Sequence, residues 1–227
     1  MVAVLLFAMG LSSVAAAQEF SALQKQAPSV VNVVALMVEF QPDTTRFTTG
    51  NGTFSGPLFP GVEAPRLDRL PHDAAYFSAH LAFLENYIDK VSDGRTKVQS
   101  YVLPEVVRVS QKMGAYSPTG VNADSDVELR KLGNLVEEAW TLAQQRGFPL
   151  PAGITSENTA FVLFHAGVGR DIELIGTTLD KTPEDLPSLF LSQDALSRLG
   201  VSPVQVDGVT VRHSLIIPRT ESRLGYD

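Results

Sequence analysis

The stretch Val30 to Phe40, VVNVVALMVEF, constrains this chain more than any other. It is apolar and rich in β-branched residues, and it lacks the alternation of a strand with one wet face. Such a strand is buried on both sides. A sheet covered on two faces needs a layer against each, so the run predicts the central strand of a layered α/β domain.

The rest of the pattern supplies those layers. Asp73 can cap a helix in which Phe77, Leu81, Leu84, Ile88 and Val91 share one stripe, and Gly94 closes it. Tyr76, Phe83 and Tyr87 widen the stripe into an aromatic flank suited to packing on a sheet. Val98 to Val109 reads as a strand pair or a bent strand broken at Pro104. Ser125-x-x-Glu128 is a capping box, and the helix it opens runs through Leu132, Leu135, Ala139 and Leu142 to Gly147, with Trp140 beside the stripe. Ala160 to His165 is a second buried strand, followed by a sharp turn at Gly167-Val168-Gly169. Thr182-Pro183-Glu184-Asp185 carries the signals of one helical turn. Ser192 to Leu199, ended by Gly200, reads as a short helix, and Val209 to Ile217 as a last strand or hairpin arm. The order predicts an α/β fold, a layered mixed sheet with flanking helices.

The amino terminus predicts export. Val2 to Met9 is an unbroken apolar run, followed by small residues and Ala15-Ala16-Ala17. It is shorter than the roughly 20 residues of a bilayer-spanning helix and ends in a signal-peptidase-like site. Residues 1–17 are therefore read as a Sec-type signal peptide, 18–27 as a polar tether, and 28–227 as one α/β domain. This places the chain outside a bacterial cell, with no stable membrane span. Gln41 to Pro71, dense in Pro and Gly, reads as a long surface loop, within which Asn51-Gly52-Thr53 is a turn rather than a glycosylation site.

Composition removes several classes of function. The chain has no Cys, which excludes disulfides, thiolate zinc sites, iron–sulfur clusters and a cysteine nucleophile. Its formal charge of -7 argues against a nucleic-acid partner. None of His72, His80, His165 and His213 has a second His four residues away, so no H-E-x-x-H zinc helix is present. No G-x-S-x-G elbow is present either. The acidic stretch Asn122 to Asp126 lacks the Gly and terminal Glu of a calcium loop and suits helix capping. One constellation is left: His165, Arg170 and Asp171, at the end of a buried strand where α/β sheets bring ligands. It is a speculative loop site. The plainer reading is that Asp171 pairs with Arg170 or caps the turn while His165 fills the strand end.

Two segments go beyond generic patterning. Tyr76 to Pro104, YFSAHLAFLENYIDKVSDGRTKVQSYVLP, is similar to the "F…YY…SYGK" helix-to-strand unit of immune inhibitor A-like secreted zinc metallopeptidases. Ala160 to Leu191, AFVLFHAGVGRDIE and then TPEDLPSLFL, resembles the family's strand and loop with its HAG tripeptide, here His165-Ala166-Gly167. With Val30 to Phe40, the likeness covers most of residues 30–217. It implies a zincin-like amino-terminal subdomain of a carboxy-terminally incomplete catalytic domain. The family's H-E-x-x-H helix lies further along the chain, where zinc-bound water, deprotonated by the motif's Glu, would attack a peptide carbonyl of a protein or peptide substrate. Zinc is thus expected for the complete protein and not for this segment. The family's Asp-rich segment before the HAG strand reads PLPAGITSENT here, which leaves calcium unassigned. The alternative from another class is a non-catalytic secreted α/β binding or cell-surface module built on the same fold. An unrelated small-molecule enzyme using His165 and Asp171 ranks last.

Overall fold

A computed structural model of the chain describes residues 29–56, 70–171 and 182–220. The segments read as a signal peptide and a tether, and much of Gln41 to Pro71, lie outside the described residues. The elements run β1 (Val30–Glu39), α1 (Ala74–Val91), β2 (Lys97–Arg108), a 3-10 turn (Met113–Ala115), α2 (Asp126–Arg146), β3 (Thr159–Val168), β4 (Leu189–Leu191), α3 (Gln193–Arg198), β5 (Val204–Val206), β6 (Val209–Val211) and β7 (Ser214–Thr220). Five strands form a mixed sheet in the order β2-β1-β3-β7-β4. The first four are mutually parallel and β4 is antiparallel to β7. β5 and β6 form a separate hairpin.

β1 is buried on both faces, which is why its sequence does not alternate. Val34, Leu36 and Val38 point toward α2 and pack with Leu132, Leu135, Ala139 and Trp140. Val33, Ala35 and Met37 point the other way and pack with Phe77 and Leu81 of α1. Parallel neighbours require crossovers, and α1 and α2 supply them on opposite sides of the sheet.

Both long helices begin as their caps dictate. The Asp73 carboxylate accepts from the Tyr76 N–H and the Ser125 hydroxyl from the Glu128 N–H. The reciprocal half of the capping box at Ser125 is absent, because the Glu128 carboxylate turns to the Thr119 N–H and to Lys131 instead. α2 closes on Gly147 at φ 66°, a left-handed position that only Gly adopts without strain.

β2 is one bent strand, the second of its two readings, and its register against β1 slips around Pro104, between the Ala35–Val102 and Met37–Val106 pairs. Three segments differ from the sequence reading. Gly167-Val168-Gly169 is not a sharp turn, since β3 runs on to Val168 and absorbs Gly167, at φ 107°, as a register shift against β7. Thr182 to Asp185 forms a single hydrogen-bonded turn, Asp185 N–H to Thr182 C=O, and no helix follows. Val209 to Ile217 splits into hairpin arm β6 and the sheet strand β7.

Candidate functional site

The parallel strands deliver their carboxyl ends to one edge of the sheet, where the candidate residues gather with buried polar partners. His165 lies fully buried on β3. Its Nδ1 is 2.9 Å from the Ala166 carbonyl. A carbonyl only accepts, so Nδ1 carries the hydrogen and Nε2 is the bare nitrogen. Nε2 has no hydrogen-bond partner among the described residues. Burial pulls the imidazole down to about 4, against the opposing pull of the Ala166 carbonyl and Asp171, so the ring is neutral at neutral pH. That is the protonation state of a general base, yet a ring with no exposed surface reaches no substrate.

Arg170 and Asp171 fasten loops. The Arg170 guanidinium donates to the Pro183 carbonyl at 2.5 Å and to the Pro118 carbonyl at 2.8 Å. An Asp171 carboxylate oxygen accepts from the Ser188 N–H at 2.7 Å. The three nominated residues do share one end of the sheet, but each spends polar atoms on neighbouring backbone.

The sequence reading missed two stronger groups there. Asp185 is completely buried and accepts from the Thr49 N–H and the Thr49 hydroxyl, both at 2.6 Å. Arg219, 2% exposed, donates to the Thr53, Phe54 and Gly56 carbonyls at 3.0–3.3 Å. A charge closing an apolar strand, as in SLIIPRT, was the available signal for Arg219. Asp185 had none beyond its place after a Pro. Both groups hold the segment 48–56 against the sheet, where the Asn51 side-chain carbonyl accepts from the N–H and hydroxyl of Thr53. The sequon is thus a closed turn, as read.

The other histidines are scattered. His72 is buried and stacks on Tyr76 at 4.2 Å. His80 is exposed on α1, with Nδ1 on the Tyr76 carbonyl. His213 is half-buried between Phe161 and Phe190, and burial lowers its pKa. Among the described residues no three His, Asp or Glu side chains stand together as a metal set, and no helix is long and apolar enough to cross a membrane.

A second feature lies on the α1 face. The register aligns Val102, Ala35, Val162, Leu215 and Phe190 in one row across all five strands. Burial fades along it: Ala35 is inaccessible, Val162 is 5% exposed, Leu215 is partly exposed and Phe190 is 57% exposed. α1 explains the gradient. Its Glu85 carboxylate bonds the Ser100 N–H and Asp89 pairs with Lys97, so this flank sits over β2. Its other side carries His80, Phe83 and Tyr87, with Phe83 73% and Tyr87 54% exposed. The β7–β4 margin of this face thus shows partly exposed Leu215 and Ile217 and exposed Phe190, and α1 adds two exposed aromatic rings.

Comparison with protein-family models and with curated proteins finds no match to this chain.

Proposed function

We propose that this chain is the amino-terminal part of the catalytic domain of an exported zinc metalloendopeptidase-like protein, with a zincin-like sheet as its platform. The observation that carries the reading is the exposed apolar margin of the α1 face. A sheet face that is apolar but half uncovered, next to a helix whose exposed flank is aromatic, suits an amphipathic helix lying parallel to α1. In the family that the HAG strand resembles, the helix needed is the one with paired zinc-binding His.

The fit of zinc to this segment alone is poor, because a catalytic zinc needs three protein ligands and the described residues bring no such set together. No catalytic step is assigned to these side chains. Their part is to hold β7 in register, through Arg219 and the loop it grips, and to keep the sheet rigid through Asp185 and Arg170.

The test compares this chain with the product of its reading frame extended past Asp227. The extended protein is expected to carry H-E-x-x-H within a few tens of residues, to retain one zinc, and to release peptides from casein in an EDTA-sensitive way. This chain alone should do neither. A stop codon directly after Asp227 in a soluble, folded protein overturns the fragment reading. A continuing frame without the two His supports the non-catalytic secreted module instead. Amino-terminal sequencing of secreted material tests the export reading, which predicts a start near Gln18.

A further inference from the structure

The opposite side of the molecule holds a cavity that the peptidase reading does not use. It lies between α2, α3 and the β5–β6 hairpin and encloses about 270 Å³. Leu196 and Val211, 6% and 7% exposed, line its apolar side, and Trp140 lies fully buried beneath them. Trp140 is held in place, since its indole N–H donates to the Ser214 hydroxyl at 3.1 Å and its ring meets Phe161 edge-on at 5.3 Å. The mouth is polar, with Ser197, Thr210 and Arg212.

Size, floor and mouth together define a ligand class. An apolar cavity of about 150 Å³ already admits benzene, so this one has room for a leucine- or phenylalanine-sized side chain plus the backbone that carries it. Arg212 contributes the only formal charge in the lining. It sits in a chain with 25 acidic and 18 basic residues, and its fork suits a carboxylate. Glu157 engages one nitrogen, Nη2, at 2.7 Å, and the guanidinium side chain stays 43% exposed. Mixed linings of this kind, mostly apolar below with a few convergent polar groups above, are the usual form of a small-ligand site.

The geometry points to a binding site for an apolar amino-acid residue with a free α-carboxylate, the side chain on Leu196 and Val211 above the buried Trp140 and the carboxylate on Arg212. The inference is independent of the peptidase reading, because the cavity and the exposed margin of the α1 face lie on opposite faces of the sheet. The chain's single Trp lines the site and reports on it.

Trp140 emission is titrated with N-acetyl-leucine, acetyl-Ala-Ala-Leu and the amide of that peptide. A saturable emission change with the free acids is expected, at least tenfold weaker for the amide and in Arg212→Gln, and lost in Ser197→Phe, which fills the mouth. Both variants change exposed residues, and their melting temperatures check that the fold is kept. Tighter binding of the peptide than of acetyl-leucine identifies chain ends as the natural source, and equal binding identifies the single residue. No emission change up to the solubility limit, equal affinity of acid and amide, or unchanged binding in Ser197→Phe overturns the assignment.

Discussion

The two faces of the central sheet are built from the same strands and finished differently. On the α2 face, helix α2, helix α3 and the β5–β6 hairpin cover the strands across their width, and Trp140, Leu163, Leu186 and Ile216 are inaccessible. On the α1 face, α1 and Phe54 pack over β1 and β3, where Val162 and Phe164 are 5% and 6% exposed, and burial decays beyond them through Leu215 to Phe190 of β4. Strand composition does not account for this, since Leu215, Ile217 and Phe190 are as apolar as their buried neighbours. Among the described residues, one face is covered to its edge and the other is open at its β7–β4 margin.

That contrast is sharpest in paired truncations. Trp140→Ala on the covered face is expected to cost about 4 kcal/mol, the range for emptying a large aromatic site. Phe190→Ser on the open face should stay within about 0.5 kcal/mol, as surface changes do. Urea unfolding of both variants gives the two numbers. Comparable losses would mean that the open face is as integral to this fold as the covered one.

The next largest effect is one of pH. His165 faces Phe40 within the covered layer, ring centroids 6.0 Å apart. Its folded value of about 4 lies below the 6.5 of an unconstrained imidazole, so the unfolded chain takes up the proton first. Stability is full above about pH 6.5 and falls as the pH drops toward 4, by about 3 kcal/mol in order of magnitude. Denaturation midpoints across that window should slope down with acid in the wild type and flatten in His165→Phe. An equal slope in both would assign the acid sensitivity to other groups.

Sequence patterning reads the covered face better than the open one. The unbroken run of β1 and the capping box of α2 gave the central strand and the main helix because long elements repeat their signal. β4 and β5 were illegible, since three residues offer no period to detect. The stripe Phe77, Leu81, Leu84, Ile88, Val91 was read as core. Only Phe77 and Leu81 are buried, while Leu84 is 37% and Val91 58% exposed. Periodicity reports which face is apolar and says nothing about whether a partner is present to cover it. At the candidate site, His165 and its neighbours were legible as a cluster. Their role was not, because it depends on carbonyls of Pro118, Ala166 and Pro183 that three separate segments bring in.

Two smaller effects complete the comparison. Ser125→Ala removes the cap of the helix on the covered face and should cost about 1 kcal/mol, measured by chemical denaturation. A Phe83→Ser/Tyr87→Ser double variant should leave the midpoint unchanged within about 0.5 kcal/mol. It should also bind less of a hydrophobic dye such as ANS. Undiminished dye binding would place the accessible apolar surface elsewhere.

The order of the sheet also sets a schedule. β1 precedes both its neighbours in the chain: Asn32 pairs with Thr159, and Val162 of that same third strand pairs with Leu215. The central strand cannot gain its second neighbour until β3 has been made, and β3 in turn waits for β7. Such long sequence separations make for slow folding, on the order of milliseconds to seconds, and leave apolar β-strand exposed in the interval. The unbroken apolar run that marks β1 is therefore carried by a strand that waits long for its second partner.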